Sequence, residues 1–280
     1  MLRNKGAMGR MLIFGRGYSA AWLADRLVAR GWDVVGTTRD GRGGTLRFAD
    51  DNAVLAALRT ADHILSSVPP DDDGADPVLA RYGAALALAP ARWTGYLSST
   101  GVYGDTGGAW VDESAPVGQG RRAARAQADR AWQALRGDVR IFRLPGIYGP
   151  GRSALTRVRA GQAHRIRLPG QVFSRIHVDD IASGVMASFA GPPGVYNLAD
   201  DHPCPQLEVT EGACDLLGVP WPPLQSVDEA ALSPMARSFY AENRRVATGK
   251  AKRLLHWTPA FPTWREGLAD CLTQDALTGA

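Results

Sequence analysis

Six consecutive residues, Gly15-Arg16-Gly17-Tyr18-Ser19-Ala20, combine small side chains with free backbone amides in a pattern that grips a diphosphate. Gly15 permits a tight turn and Gly17 lets the chain approach a pyrophosphate. Ala20 stands where a third glycine often keeps a helix against its strand. The anion would rest on N–H groups that a helix N-terminus leaves unpaired, so Gly15, Arg16, Gly17, Tyr18 and Ser19 are candidate cofactor ligands. A second group, Thr37-Thr38-Arg39, ends an apolar run with no carboxylate before Asp40. An acidic residue at such a strand end accepts from the ribose 2′-hydroxyl of NAD. Hydroxyls and a guanidinium suit a 2′-phosphate instead, which Arg holds with two parallel charge-assisted bonds. Thr38 and Arg39 therefore point to NADP, while Asp40 keeps NAD open. A third group, Ser98-Ser99-Thr100-Gly101-Val102-Tyr103-Gly104, puts hydroxyls and glycines just after another apolar run. A catalytic hydrogen-bond donor is expected there.

These groups need elements to hold them. Met11 to Phe14 reads as a strand, and Ala20, Leu23, Ala24, Leu27 and Val28 mark one face of a helix that Gly31 closes. Val34 to Thr38 is the next strand, which completes a βαβ unit. The alternation continues with a strand Thr45 to Phe48, a helix Asn52 to Arg59 and a strand His63 to Val68. That strand ends in Ser67-Val68-Pro69-Pro70, bordering the crevice where ligands sit, which adds Ser67 and Pro69 to the cofactor candidates. A helix Pro77 to Leu88, a strand Trp93 to Leu97, a helix Ala123 to Leu135 and a strand Val139 to Arg143 follow. Asp50 reads either as a neighbour of the adenine amine or as a helix N-cap. The fold class expected is α/β, a Rossmann doubly wound parallel sheet with a smaller C-terminal α/β substrate lobe. Beyond Arg152 the alternation stops, prolines punctuate the chain, and helices near Leu207–Leu217 and Thr263–Leu272 build the lobe. The expected division is 1–150 plus about 171–190 for the dinucleotide-binding domain, and 151–170 with 191–280 for the lobe.

Composition narrows the function classes. The net charge is +4, and only Lys5, Lys250 and Lys252 are lysines. No basic run is interleaved with aromatics, so nucleic acid is not an expected partner. Cys204, Cys214 and Cys271 lack metal-ligand spacing and cannot all pair, which fits reduced thiols in a cytoplasm, and no metal is expected. The apolar run after the basic Met1–Arg10 segment is only a strand long. Neither a signal peptide nor a bilayer span is expected, and Met8 and Met11 stand as alternative starts.

The motifs together resemble the extended short-chain dehydrogenase/reductases, the NAD(P)-dependent epimerase/dehydratase group. The likeness covers nearly the whole chain: Gly15 to Ala20, Ser98 to Gly104, Arg143 to Arg152, Arg175 to Asp180 and Tyr196-Asn197-Leu198-Ala199-Asp200. It implies a seven-stranded Rossmann domain, hydride chemistry on a sugar or other small polyol-like substrate, including nucleotide sugars, and a homodimer. It also implies an active site of Ser or Thr with Tyr and, four residues on, Lys; the Lys lowers the phenol pKa and holds the nicotinamide ribose. Ser99, four residues before Tyr103, matches the hydroxyl position. Aligning Gln127-Ala128-Asp129 with the family's small-acidic stretch puts Arg121 at the Tyr position and Arg125 at the Lys position. A guanidinium does not deprotonate in proteins, so Arg125 can hold ribose hydroxyls but Arg121 cannot replace a phenol. The catalytic candidates are accordingly Ser99 and, as a compensating phenol, Tyr103, with Tyr148 behind it. The chain reads as an NADP-dependent oxidoreductase or epimerase-like enzyme with a non-standard active site. Its alternative is a non-catalytic NADP-binding redox sensor or regulatory protein.

Other clusters have bland readings. Asp179 or Asp180 is expected to N-cap a helix from Ile181 to Phe189 rather than to join His177 on a metal. Arg152, Arg157, Arg165, Arg175 and Arg237 are either solvated or line an anionic pocket. Ser233 to Arg245 mixes apolar and cationic residues without clear periodicity, as a flap or a docking segment would. Trp264 and Leu268 read as core.

Overall fold

The computed structural model describes residues 8–71, 73–118 and 123–278; Arg121 lies outside the described residues. The elements run β1 (Arg10–Phe14), α1 (Tyr18–Val28), β2 (Asp33–Thr38), β3 (Leu46–Arg47), α2 (Asp51–Leu58), β4 (His63–Ser66), α3 (Pro77–Ala87) and β5 (Trp93–Ser99). They continue as β6 (Trp110–Val111), α4 (Ala123–Leu135), β7 (Val139–Leu144), β8 (Gly146–Tyr148), α5 (Ala154–Arg159), β9 (Arg165–Ile166), β10 (Arg175–His177), α6 (Val178–Ala187) and β11 (Gly194–Asn197). The rest is α7 (Gln206–Leu217), β12 (Leu224–Gln225), α8 (Pro234–Phe239), β13 (Arg245–Val246), α9 (Gly249–Leu254) and α10 (Trp264–Thr278).

Seven strands form one parallel sheet in the order β11-β7-β5-β4-β1-β2-β3. Parallel strands covered on both faces read as apolar runs, and Met11 to Phe14 is 0–1 % exposed. Met11, Ile13, Leu23, Leu27 and Trp93 share one core layer with Ile181 and Val185 of α6. Leu12, Phe14, Val54, Tyr82 and Trp132 form the other, under α2, α3 and α4. Strand order reverses between β1 and β4, so a crevice opens beyond their carboxyl ends, between the α1 start and the turn after β4.

A separate cluster of Tyr148, Leu155, Val209, Ala213, Trp264, Leu268 and Cys271 packs α5, α7 and α10 together. Gly212 lets α7 meet α10 closely, since a Cβ there would stand 2.4 Å from the Trp264 ring. Three two-stranded parallel ribbons, β8·β10, β9·β12 and β6·β13, stand apart from the seven-stranded sheet. Among the described residues no helix is long and apolar enough to cross a membrane.

One local expectation is corrected. The helix expected from Ile181 starts at Val178, and its cap is His177, whose Nδ1 accepts from the Asp179 N–H at 3.3 Å. The two carboxylates are engaged elsewhere: Asp179 accepts from Trp22 Nε1 and Arg26, and Asp180 accepts from the Ala260 and Phe261 N–H groups. The Ser233–Arg245 stretch holds α8 and a connection that leads into β13. Asp50 caps α2, accepting from the Ala53 N–H.

Candidate active site

The glycine turn uses its own amides internally, Arg16 N–H on the Thr37 carbonyl at 2.9 Å and Gly17 N–H on the Gly15 carbonyl at 2.8 Å, and leaves those of residues 18–20 free. Gly15 takes φ +79°, and a Cβ there would stand 2.7 Å from Val68 Cγ2, so no side chain fits. Thr37 Oγ1 accepts from the Gly15 N–H at 3.2 Å, and Ser67 Oγ donates to the Gly15 carbonyl. Gly17 then N-caps α1 with no side-chain cap bond and no acidic residue in the first turn. Nothing lies within 4 Å of a Cβ built on Gly17, so the helix-start amides face open space at the positive end of the helix dipole. That arrangement fits the diphosphate of a dinucleotide.

The other cofactor candidates are spread around this turn. Arg16 runs its stem over Gly36 and pairs with Asp25 at 3.2 Å, and its N–H donates to the Thr37 carbonyl at 2.9 Å, so both its charge and its amide are engaged away from the helix start. Thr38 Oγ1 accepts from the Gly41 N–H at 2.9 Å and bonds Thr45 Oγ1 at 2.7 Å, which commits it to the β2–β3 connection. Arg39 is exposed and has no partner among the described residues; Pro69 is exposed beyond β4.

A cleft of about 1140 Å³ covers the carboxyl edge of the sheet. Gly17, Tyr18, Ser19, Ser67, Ser99 and Arg125 share it with a facing wall from the lobe that includes Arg152, Arg157, His164, Phe173, Arg175 and Tyr240. Ser99 ends β5, and its Oγ accepts from the Gly101 N–H at 3.1 Å. An accepted bond leaves the hydroxyl proton available to donate to a substrate oxygen. Arg125, on the first turns of α4, lies near the Tyr96 hydroxyl without hydrogen-bond geometry. Burial pushes Tyr96 up to about 12, and the guanidinium opposes that shift.

A buried network fixes these two residues from below. Asp129 of α4, fully buried, accepts from Ser98 Oγ at 2.6 Å and takes Arg143 of β7 at 2.8 and 3.1 Å. Arg143 Nη1 donates to Tyr103 Oη at 3.0 Å, and Tyr103 Oη donates to Asn197 Oδ1 at 2.7 Å. Tyr103 is 2 % exposed, with the guanidinium 4.9 Å over its ring; burial pushes its phenol up and Arg143 pulls it back. Its donor and one acceptor site are thus engaged, and it is not among the described residues that line the cleft. Tyr148 does line it, but its hydroxyl sits where a Cβ on Gly267 would clash. Burial and the Asp200 charge both raise that phenol well above the ordinary range.

The facing wall is cationic. Arg125, Arg152, Arg157, Arg175 and Arg244 line the cleft, against one carboxylate among the described residues, Glu242, which pairs with Arg244 at 2.9 Å. Arg165 and Arg237 instead pair with Glu211 and Asp228 outside it. Arg175 is anchored on the Phe173 and Cys204 carbonyls and on Gln206. His202, Cys204 and Glu208 bring donor atoms within 4.8 Å of one another. The Arg175 guanidinium nevertheless sits 3.2 Å from Sγ, and burial pushes the Cys204 thiol up to about 11, conditions that repel a cation. His164, Phe173, Gln206 and Tyr240 were not singled out as site residues. They belong to short strands, connections and a helix start whose approach to the cleft is non-local, although the cation-rich composition of 152–175 marks the region.

No family model matches the chain. The structure of a functionally unknown conserved protein from Silicibacter pomeroyi DSS is 43 % identical, with a TM-score of 0.87 over 96 % of this chain and 99 % of that one. Human epimerase family protein SDR39U1 (isoform2) with NADPH shares the fold at 19 % identity and TM-score 0.78, over 94 % of this chain and 99 % of that one. A 3-diazoavenalumate denitrifying reductase from Streptomyces sp is 29 % identical over 140 residues, 46 % of this chain; the match spans 45 % of that reductase's length.

Proposed function

We propose, on the premise that this chain belongs by its fold to the extended short-chain dehydrogenase/reductases, the NAD-dependent epimerase/dehydratase group, that it is an NADP(H)-dependent oxidoreductase of a small anionic substrate. One observation carries this reading: the open amide start of α1, Ser99 and Arg125 share a single cleft with a cationic wall. When bound, the cofactor supplies or accepts the hydride at its nicotinamide ring. The residues of this chain do the rest. Amides of 18–20 hold the diphosphate, Arg39 meets the 2′-phosphate, and Arg125 orients the ribose hydroxyls. Ser99 donates to the substrate oxygen, stabilising the charge that develops there. The proton for that oxygen comes through water, because a guanidinium is not a general acid–base group and Tyr103 is held by Arg143 and Asn197. Arg157 and its neighbours on the wall favour a phosphate- or carboxylate-bearing substrate such as a nucleotide sugar. Free, buried Cys204, Cys214 and Cys271 support a reducing, cytoplasmic setting.

The test is a titration of ligand-free protein with NADPH and NADH, followed by a carbonyl panel scored by loss of NADPH absorbance. Ser99→Ala is expected to lower kcat by roughly 10²-fold with little effect on cofactor binding. A second reading, a non-catalytic NADP-binding sensor, is favoured by the engagement of Tyr103 and by Arg125 at the lysine position. NADPH binding with no turnover across the panel would select it.

A further inference from the structure

We propose that Arg152, carried by the loop after β8, is the side chain that clamps the cofactor's diphosphate from across the cleft. This rests on the reading that the cleft takes a nicotinamide dinucleotide. A diphosphate carries about two negative charges, whereas a helix start offers partial charge of about half a unit. The turn itself supplies no cation, because Arg16 is drawn back to Asp25 and the first turn of α1 holds only Tyr18, Ser19, Ala20 and Ala21.

Arg152 is placed to make up that difference. Its guanidinium carbon lies 5.5 Å from the centroid of the Tyr18 ring, on the first residue of α1, and both side chains line the cleft. The residue is exposed and has no carboxylate partner among the described residues. Of the other wall arginines, Arg175 is held on Cys204 and Gln206 and Arg244 on Gly104 and Glu242, Arg125 stands beside Tyr96, and Arg157, also exposed, acts on Tyr240 rather than on the first residue of α1.

The loop is also registered on the turn that it would help. Tyr18 Oη donates to the Pro150 carbonyl at 3.0 Å, and a Cβ on Gly149 would stand 2.4 Å from that hydroxyl. Gly149 and Arg152 exchange backbone bonds of 3.3 and 3.0 Å, and the Gly151 N–H donates to Asp275 Oδ1 at 3.2 Å. A cation on a loop already held in place loses less entropy on engaging a ligand than one on a free loop.

The experiment measures dissociation constants for NADPH, NADH and ADP-ribose with wild-type protein, Arg152→Ala and Arg152→Lys. Circular dichroism confirms that each variant is folded. Because all three ligands contain the diphosphate, Arg152→Ala is expected to weaken each by the same factor, on the order of tenfold. Arg152→Lys should recover part of the loss, and the alanine variant should show a shallower salt dependence. Unchanged constants in Arg152→Ala would overturn the proposal, most clearly if the substrate KM rose instead. A loss confined to NADPH would also overturn it, by assigning the residue to the 2′-phosphate. Wild-type protein that bound none of the three ligands would overturn the underlying dinucleotide reading, a result distinguishable from the other two.

Discussion

Arg39 directly follows β2, exposed and without a partner among the described residues, beside a connection in which Thr38 is already committed to Gly41 and Thr45. The proposed 2′-phosphate preference therefore rests on this one charge rather than on the hydroxyl that precedes it. Arg39→Ala is expected to weaken NADPH by roughly tenfold or more and NADH little, at the ~1.5–3 kcal/mol typical of a charged hydrogen bond. Titration of both cofactors checks this, and equal losses would contradict it. At this scale the sequence was informative where chemistry is local. The Gly15-Arg16-Gly17 turn is a contiguous string, and its φ and clearance follow from residue type. The fate of Tyr103 was not legible, because its partners Arg143 and Asn197 lie 40 and 94 residues away.

At the scale of elements, the site is aligned by the junction of β5, α4 and β7. Asp129 receives Ser98 from one strand and Arg143 from another, and the strand residue after Ser98 is Ser99. Side-chain exposures of 0 % and 3 % make this a fully desolvated pair, which is costly to break from one side. Asp129→Leu should destabilise the protein by about 3–5 kcal/mol by stranding the guanidinium. Urea denaturation measures that loss, and a change below about 1 kcal/mol would show that the pair does not fasten the junction. Helices with a periodic apolar face, such as α1 and α7, were legible within a residue or two. The two-residue strands β6, β12 and β13 were not, since each is defined by a partner far along the chain: Leu224 by Arg165, Trp110 by Arg245. The start of α6 was missed because a histidine, not an aspartate, caps it.

At the scale of the whole molecule, the parallel sheet followed from the strand–helix alternation, while the lobe's packing depended on contacts among α5, α7 and α10. The fold also sets a pH response. His63 is 2 % exposed among Trp32, Trp93 and Phe189, and burial pushes its pKa down to about 4; burial likewise takes His177 to about 4. A histidine depressed in the folded state contributes stability that is fully present above its ordinary value near 6.5 and is lost as pH falls toward 4. Asp200, pushed up to about 7 by burial, and Asp180, to about 6, work in the opposite sense. Their contribution is present near pH 4 and is lost as pH rises through 6 to 7. His63→Phe fits the aromatic surroundings and removes one titrating group. Its Tm should fall less than that of the wild type between pH 7 and pH 5, and an identical fall in both would contradict the assigned burial effect.

Everything at the three scales depends on a nicotinamide dinucleotide seated on the amides that begin α1. Isothermal titration of protein stripped of endogenous ligand, with NADPH and then NADH, tests that dependence most directly. One saturable site per chain is expected, tighter for NADPH, and weakened for both cofactors when Gly17→Val fills the space beside those amides. Absence of binding to either nucleotide, or binding indifferent to Gly17→Val, would contradict it.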